Sequence, residues 1–500
     1  MAAQDRTPPG VHVVEQDSFS GTVTQAPTAV PVFIGYTEAA GNGQAIPLAS
    51  MADFVRVFGG APSPRFAYAP AAASPLPPCA FDPAHPRFNL YYALELFFMN
   101  GGSNCYVLSI GAYGGGIPAI TADAYDGVWT VLEKYPEPTI VVMPDSVLLA
   151  ADAWTSVALQ ALLHCHQMEN RVAIFDLVNG CYPVDGTAAD PVQAFYAAGV
   201  KGEDFNKYGI AYYPWINTSL VDPATVDFSW LNDAGIGALR KDLLTEAPTL
   251  FPPIGSGQDA KLAAYTALLA DVATGQAADA IRATHQAVQA ASPLYRQTIQ
   301  RLAASVNLLP PGGAMAGVYA LTDSTRGVWQ SPANTGITGA VSPAQPVSDT
   351  LQDQLNLPLN GLAVNAIRTF PNFGLLVWGA RTMAGNSDDW RYISVRRTCM
   401  MLEQSIRYAM QPYVFQPNEQ LTWTALQAEV SNFLTEMWKE GALQGSKPAD
   451  AYSVSVGLGT TMTSEDILRG YLNMTVQVAL VHPAEFIVLT FQQQMQTGAA

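Results

Sequence analysis

Three consecutive residues in the first third of the chain, His164, Cys165 and His166, are of the types that bind transition metals. They fall within residues 153–168, a segment whose apolar spacing predicts a helix. Side chains two positions apart on a helix point about 200° away from each other, so the two imidazoles cannot bind the same ion. The sequence supplies no other cluster of histidines or cysteines. We therefore expect no metal site here.

Two glycine-rich segments resemble phosphate-binding loops, but neither has the residues that complete such a site. The Gly-Ile-Gly at 235–237 lacks the third glycine of the dinucleotide-binding motif and its strand–helix–strand context. The segment GSGQDAK at 255–261 lacks the Gly-Lys-Ser/Thr end with which a P-loop holds phosphate and magnesium. There is also no Gly-x-Ser-x-Gly nucleophile elbow. We expect no cofactor and no catalytic residue, and the chain is not predicted to be an enzyme.

Charged residues form two further patterns. Adjacent carboxylates at 388–389 and 465–466 are not an acid and base pair merely because they are adjacent, and those at 465–466 suit the first turn of a helix. The one local departure from the acidic average is a group of arginines, namely Arg368, Arg381, Arg391, Arg396, Arg397 and Arg407. They either pair within the chain, with Glu403 and the nearby aspartates, or form charged contacts with another protein. Contacts of the second kind are salt-sensitive and modest in strength.

The composition limits the classes of function. Five hundred residues suggest two to four domains at roughly 150 residues each. Charged residues make up only 13%, against 49% hydrophobic residues, which favours a surface covered in an assembly, although an ordinary alanine-rich globular protein would account for it almost as well. The net charge of −17 argues against a nucleic-acid partner and against binding to an anionic membrane surface.

Targeting signals and cysteines point to the cytosol. No run of 18 or more apolar residues occurs, so we expect no transmembrane helix and no direct membrane insertion. Met1–Gly10 is polar and proline-rich, unlike a signal peptide, which predicts synthesis and retention in the cytosol until the cell lyses. The scattered, odd-numbered cysteines form neither a disulfide framework nor a zinc spacing, and we expect reduced, buried thiols at Cys79, Cys105, Cys165, Cys181 and Cys399.

Hydrophobic periodicity predicts an alternation of strands and helices. The predicted strands are 28–36, 139–144, 171–177, 207–216, 374–378, 451–456, 471–479 and 485–491. The predicted helices are 90–99, 153–168, 262–272, 277–291, 316–325, 393–409 and 423–438. The strand–helix–strand order of 139–177 predicts a parallel pair with a right-handed crossover. At the N-terminus, Val11, Val13 and Glu15 alternate with their neighbours as in a strand, and a lone terminal strand must pair with the edge of a sheet.

Several motifs between residues 361 and 494 resemble, in their order, the C-terminal domain of contractile tail sheath proteins. They are NAIR at 365–368, VWGART at 377–382, WRYISVRR at 390–397, FQPN at 415–418, GLGTTMTSEDI at 457–467 and PAEFIVLTFQQQ at 483–494. Sheath proteins occur in contractile phage tails, R-type bacteriocins and extracellular contractile injection systems. The sequences of these motifs most resemble the major sheath subunit of the extracellular contractile injection systems.

The resemblance implies a multi-domain α/β (mixed α+β) fold. Its C-terminal sheath domain has a β-sheet completed by strands donated from neighbouring subunits. The expected domains are an N-terminal donated arm (1–26), an α/β body (27–220, resuming at 309–360), an inserted or peripheral helical element (221–308), the C-terminal sheath domain (361–482) and a C-terminal donated arm (483–500). The resident strands would include Ser453, Val454, Thr475 and Val476. The donated strands would include Val11, Val13 and Glu15 at one end of the chain and Phe486, Val488 and Thr490 at the other.

The resemblance also implies a function. Copies of the chain would stack as six-fold helical rings around an inner tube and contract to drive the tube through a target envelope. Partners would be other copies, the inner tube protein, and the baseplate and tail terminator or cap proteins. Arg391, Arg396, Arg397 and Arg407 would be candidates for charged contacts with the tube or adjacent subunits. The particle would be assembled in the bacterial cytoplasm and stay there, be released outside the cell, or form a virion tail. A phage or bacteriocin sheath is the alternative, and a cytosolic α/β enzyme with an oligomerisation domain is the remote one.

Overall fold

The computed structural model describes residues 23–68, 82, 84–187, 189–198, 200, 204–252, 258–356 and 361–485. The chain divides into two compact units. The body comprises Pro27–Met401 and His482–Ala500, and the C-terminal unit comprises Met1–Ala26 and Leu402–Val481. None of the helices in the described part of the chain is long and apolar enough to cross a membrane.

The secondary structure alternates throughout the described residues. The strands are β1 (Pro31–Thr37), β2 (Ile46–Leu48), β3 (Cys105–Ala112), β4 (Ile140–Val142), β5 (Val172–Asp176), β6 (Gly209–Tyr213), β7 (Ile216–Thr218), β8 (Leu308–Leu309), β9 (Ala340–Pro343), β10 (Asn365–Phe370), β11 (Gly374–Trp378), β12 (Tyr452–Val456) and β13 (Met474–Val478). The helices are α1 (Met51–Phe58), α2 (Leu90–Met99), α3 (Val128–Leu132), α4 (Ala151–Met168), α5 (Pro191–Ala197), α6 (Asp233–Leu250), α7 (Gln258–Leu269), α8 (Ala278–Ala291), α9 (Pro293–Val306), α10 (Gly312–Arg326), α11 (Asp349–Asn356), α12 (Ile393–Met410), α13 (Gln420–Lys439), α14 (Pro448–Ala451) and α15 (Ser464–Leu468).

The body is built on an eight-stranded sheet with the order β11-β10-β6-β5-β4-β1-β3-β2. Its inner strands are parallel, and the two edge strands, β11 and β2, run antiparallel to their neighbours. Parallel strands are covered on both faces, which explains why every residue of β1 is buried. Strands β4 and β5 pair in parallel across helix α4, so the predicted parallel pair is confirmed. A second sheet in the body has the order β8-β7-β9.

Two glycines allow helices α2 and α10 to pack with their backbones close together. A Cβ atom at Gly313 would lie 2.4 Å from the carbonyl oxygen of Ala93, and one at Gly317 would lie 2.5 Å from that of Phe97. Any larger residue would force the helices apart. The sequence predicted this helix only from residue 316, because a Pro-Pro-Gly-Gly segment is typical of a turn. The helix instead begins at Gly312, where tertiary packing requires the glycines.

Two buried aspartates lie at the ends of neighbouring parallel strands and accept hydrogen bonds from the backbone. Asp145, just after β4, accepts from the N–H groups of Tyr36 and Asn89 and so connects β1 to the start of α2. Asp176, the last residue of β5, accepts from the N–H of Gly312 at the start of α10. Burial raises the pKa of Asp145 to about 6 and that of Asp176 to about 7, and the backbone hydrogen bonds oppose the shift.

Helices α6 to α9 have a hydrophobic core of their own. The sequence predicted α7 and α8 but neither α6 nor α9. Helix α6 contains two glycines and a proline, which weaken a propensity argument, and its start is defined by a cap in which Asn232 accepts from the N–H of Gly235. These helices lie within residues 221–308, where the sequence predicted an inserted or peripheral helical element.

The C-terminal unit contains helices α13 to α15 and strands β12 and β13. Helix α13 buries a stripe of apolar side chains at three-and-four spacing, as predicted, and Gly441 with a φ of 89° follows its end. Helix α15 begins with a capping box between Thr463 and Asp466. The boundary between the compact units falls within helix α12, after Met401, whereas the sequence placed a domain boundary at residue 361. Strand β10 pairs with β6 in the sheet of the body, which is why this segment clusters there.

Candidate functional site

Strands β12 and β13 form an antiparallel sheet of two strands in the C-terminal unit. Val454 lies opposite Val476, and Ser455 lies opposite Thr475. Within the described part of the chain, no third strand joins this sheet. An isolated two-stranded sheet is marginally stable in water, so packing against helix α13 or addition of further strands must support it.

The two faces of this sheet differ. Val454 and Val456 point towards the unit's interior, where Val456 packs with Trp423 and Met462. Ser453 and Thr475 lie on the opposite, exposed face. The predicted resident residues therefore lie on the paired strands, with one apolar face and one polar face.

The hydrogen-bonding pattern shows which backbone groups point outward from the sheet. The N–H of Ala479 donates to the carbonyl of Ala451 at 2.8 Å, which makes these two a hydrogen-bonded pair at the end of the ladder. Because such pairs alternate along an antiparallel ladder, the backbone N–H and C=O groups of Val454 point away from β13, and those of Val476 point away from β12.

The edges have little protection against further pairing. Neither strand, YSVSV or MTVQV, contains a charged residue or a proline, the residues that commonly block edge-to-edge association. One outward group is already occupied, because the side chain of Gln427 on α13 donates to the carbonyl of Val454 at 2.9 Å. The β12 and β13 edges are suited to accept added strands.

The strands predicted to be donated lie outside the described residues. These are the positions Val11, Val13, Glu15, Phe486, Val488 and Thr490. The chain next to each of them is described. On the N-terminal side, Val23 and Ala26 are buried in the C-terminal unit, and the N–H of Ala26 donates to the hydroxyl of Ser405 at 2.8 Å. On the C-terminal side, Glu485 forms an ion pair with Arg381 within the body.

Comparison with known proteins agrees with the motifs in the sequence. Residues 386–494 match the phage tail sheath C-terminal domain. The chain is 31% identical over 145 residues to the tail sheath protein of Burkholderia phage BcepMu, a stretch that covers 28% of this chain and 30% of that protein. It is 24% identical over 135 residues to the tail sheath protein of Vibrio phage KVP40, covering 27% of this chain and 20% of that protein. The matched stretch thus spans less than a third of either curated relative.

Solved structures extend the similarity to nearly the whole chain. The PVC sheath complex of an extracellular contractile injection system, in its contracted state, gives a TM-score of 0.62 with 26% identity, covering 98% of this chain and 99% of that chain. The contracted helical sheath of the anti-feeding prophage gives 0.60 with 26% identity, covering 98% and 100%. A chain of the anti-feeding prophage baseplate gives 0.59 with 27% identity, again covering 98% and 100%.

Residues 386–494 therefore carry a phage tail sheath C-terminal domain, and nearly the whole chain is similar to sheath subunits of contractile injection systems. The expected mixed α/β fold is confirmed, and so is the resemblance to sheath subunits of contractile injection systems.

Of the four arginines that were candidates for contacts with the tube or adjacent subunits, three have partners within the body. Arg391 pairs with Asp388 on the surface. Arg396 is buried, lies over the ring of Tyr208 and donates to its hydroxyl at 3.1 Å. Arg397 is also buried and pairs with Asp323 at 2.5 Å. The interpretation of intrachain pairing therefore describes Arg391 and Arg397, while the stacked Arg396 was not foreseen from the sequence.

Arg407 differs from these three because it lies in the C-terminal unit and its side chain is exposed. It occupies the last turn of helix α12, where a positive charge is favoured by the helix dipole. Of the four arginines proposed for contacts between subunits, Arg407 has the exposure that such a contact requires.

The histidines of the candidate metal motif lie in different surroundings. His164 is buried against Trp129, with its Nε2 3.1 Å from a guanidinium nitrogen of Arg171, and burial lowers the pKa of His164 to about 4. His166 instead packs against Phe205, with ring centroids 4.7 Å apart and the rings tilted by 53°. The part of the chain that the structure describes contains no group of three or more potential ligands among His, Cys, Asp and Glu.

Sequence reasoning missed two features of the site. Gln427 lies within the predicted helix 423–438 but was not singled out, and Glu485 was only the first residue of the predicted strand 485–491. Each acts through a partner distant in sequence, so periodicity gave no signal for either. The motif VWGART includes Arg381, but the sequence does not show that Glu485 is its partner.

Proposed function

We propose that this chain is the structural subunit of a contractile sheath, which polymerises as six-fold helical rings around an inner tube and contracts to drive that tube through a target envelope. The observation that carries this proposal is the similarity, over 98% of the chain, to the PVC sheath in its contracted state. Similarity over nearly the whole chain supports a role as a sheath subunit better than the match to the C-terminal domain alone. A single domain can also occur in proteins with a different overall architecture.

Subunits are joined, in this proposal, by strands exchanged at the β12–β13 sheet. Val11–Glu15 of one neighbour and Phe486–Phe491 of another add to its two edges. A strand of six or seven residues spans roughly 20 Å when extended, long enough to lie along a five-residue strand. The outward-facing backbone groups of Val476 and the lack of charge on both edges support this arrangement.

Strand addition suits a sheath that must change shape without coming apart. Main-chain hydrogen bonds make few demands on side-chain identity and remain intact when the connected bodies rotate. The free energy for contraction is stored when subunits assemble in an extended state and is released when they move to a wider, shorter array. Chemical catalysis at the sheath is not required for such a mechanism.

The proposed partners follow from this role. They are other copies of the chain, the inner tube, the baseplate and the terminator or cap proteins. We propose that Arg407 contributes a charged contact to the tube or an adjacent subunit, since it is the exposed member of its group. Assembly takes place in the bacterial cytoplasm, and the particle acts there or after release. The curated phage relatives favour one alternative within the same class, a phage tail sheath, and a neighbouring capsid gene would distinguish it.

Negative-stain electron microscopy of the purified chain, alone and co-expressed with the tube protein encoded beside it, tests this function. We expect hollow striated cylinders from the chain alone, in the contracted form because no tube templates the extended one. Co-expression should give narrower, longer cylinders that enclose a tube. Dispersed particles under both conditions would contradict the proposal.

A further inference from the structure

A largely buried ion pair holds the last described residue of the chain. The guanidinium of Arg381 contacts both carboxylate oxygens of Glu485, with Nη2–Oε2 and Nε–Oε1 distances of 2.5 and 2.9 Å. The same carboxylate accepts a hydrogen bond from the hydroxyl of Tyr392 at 3.2 Å and one from the side-chain amide of Asn356 at 3.4 Å. Glu485 is therefore held by three different side chains.

Arg381 is itself fixed to the central sheet. Its side chain is 1% exposed, against 19% for Glu485. The side chain of Asn365 on strand β10 accepts from the N–H of Arg381 and donates to its carbonyl, both at 2.7 Å, and also donates to the carbonyl of Ala211 on strand β6. A two-pronged, charge-assisted contact with so little access to water is strong and directional.

The position of this contact along the chain gives it a consequence for assembly. Glu485 directly precedes Phe486, the first residue of the C-terminal segment that the proposed function adds to a neighbour's sheet. An arm that starts from a fixed point samples a smaller volume than one that starts from a loose end, so its effective concentration at a neighbour's sheet is higher. A fixed start also limits the registers in which the arm can pair.

We propose that Arg381 and Glu485 anchor the C-terminal arm and so position it for donation to the neighbouring subunit. This inference rests on the proposed function, because it requires that the arm is donated. Arg381 and Glu485 are positioning residues, which act through the arm that continues from Glu485. Loss of the anchor weakens polymerisation because it lowers the effective concentration of the arm at the neighbour's sheet.

The first test measures polymerisation of the full chain by sedimentation, as the concentration at which half of the protein pellets. Glu485→Gln, which removes the charge and keeps the shape, should raise that concentration at least tenfold. The matched control is Asp349→Asn, which removes the carboxylate of another ion pair in the body, to Arg368 at 2.8 Å, from a residue that is 93% exposed. The control should change the value less than twofold. Polymerisation of Glu485→Gln at the wild-type concentration would overturn the proposal.

The second test separates positioning of the arm from general stabilisation of the body. A synthetic peptide of residues 484–494 competes with the tethered arm for the neighbour's sheet. If the anchor raises the arm's effective concentration, half-inhibition of Glu485→Gln should require at least fivefold less peptide than half-inhibition of the wild type. An equal peptide requirement for the two proteins would show that the ion pair only stabilises the body.

Two further variants keep the outcome interpretable. Tyr392→Phe removes one hydrogen bond to Glu485 and should raise the half-sedimentation concentration two- to threefold. It replaces Glu485→Gln if that variant does not fold, and no change would then refute the anchor.

A chain ending at Glu485 should not polymerise. If it polymerises normally, the donated arm of the proposed function is wrong, which is a different failure from that of the anchor.

Discussion

The backbone N–H of Gly312 donates a 2.7 Å hydrogen bond to the carboxylate of Asp176, so the last residue of strand β5 caps helix α10 from inside the core. Space there is limited, since a Cβ atom at Gly312 would lie 2.6 Å from the Asp176 carboxylate. Burial raises the pKa of Asp176 to about 7, against an ordinary value of 3.8. At alkaline pH the Asp176 carboxylate is therefore charged, although its buried surroundings favour the neutral form.

This relationship predicts how stability depends on pH. Because the folded-state pKa of Asp176 lies above its unfolded value, the folded state binds the proton more tightly, and its contribution to stability increases as the pH falls from 8 towards 4. Asp176→Asn should therefore raise the free energy of unfolding at pH 8 by about 1–3 kcal/mol and have little effect near pH 4. Urea unfolding of the unpolymerised wild type and variant at both pH values measures this change in the free energy of unfolding. Equal effects at pH 8 and pH 4 would show that ionisation of Asp176 is not involved.

The close approach of α2 and α10 predicts a steric effect. Gly317→Ala places a methyl group 2.5 Å from the carbonyl oxygen of Phe97, so the helices must separate, at a cost of about 1–3 kcal/mol or more. The control is Gly237→Ala in helix α6, where a Cβ atom meets nothing within 4 Å. That change should stabilise the chain by about 0.5–1 kcal/mol, because alanine is the better helix former. The unfolding midpoint should fall for Gly317→Ala and rise for Gly237→Ala. A lower midpoint for both variants would contradict the steric explanation.

Two arginines of one motif should differ in energetic importance. Arg397 and Asp323 are both buried, so Arg397→Ala leaves an unpaired carboxylate in the core and should cost about 3–5 kcal/mol. Arg391 pairs with Asp388, whose side chain is 95% exposed, so Arg391→Ala should cost about 0–1 kcal/mol. Chemical denaturation of the two variants at low ionic strength measures the difference. Comparable losses would mean that burial does not control the strength of these pairs.

The N-terminal arm should be dispensable for folding and required for assembly. Deletion of residues 1–20 keeps Val23 and Ala26, which are buried in the C-terminal unit. The shortened chain should therefore have an unchanged unfolding midpoint, yet it should not form cylinders, because the sheets of its neighbours lack one strand. Size-exclusion chromatography and electron microscopy together give the result. Long cylinders from this variant would exclude donation of the N-terminal arm.

Much of the fold could be predicted from the sequence wherever periodicity alone determines an element. Helix α2 was predicted at its observed limits, and the pairing of β4 with β5 followed from a strand–helix–strand order. Helix α10 began earlier than predicted because its glycines serve contact with α2, which no local pattern reveals. Local propensity also failed for α6, whose cap at Asn232 is the clearest remaining signal.

The candidate site could be predicted only in part, for a related reason. The sequence predicted strands at 451–456 and 471–479, and β12 and β13 are observed as a pair. The contacts of Gln427 with Val454 and of Arg381 with Glu485 connect residues that are far apart in sequence or lie on different elements. Such contacts depend on the three-dimensional arrangement and leave no periodic trace.

The most direct test of the account is a cryo-electron microscopy reconstruction of the assembled cylinder, at a resolution that traces the chain through the β12–β13 sheet. We predict a four-stranded sheet in which β12 and β13 are flanked by residues 11–15 of one neighbouring subunit and residues 486–491 of another. A sheet that remains two-stranded in the polymer, or whose flanking strands come from the same subunit, would contradict the central claim that strand exchange joins the sheath.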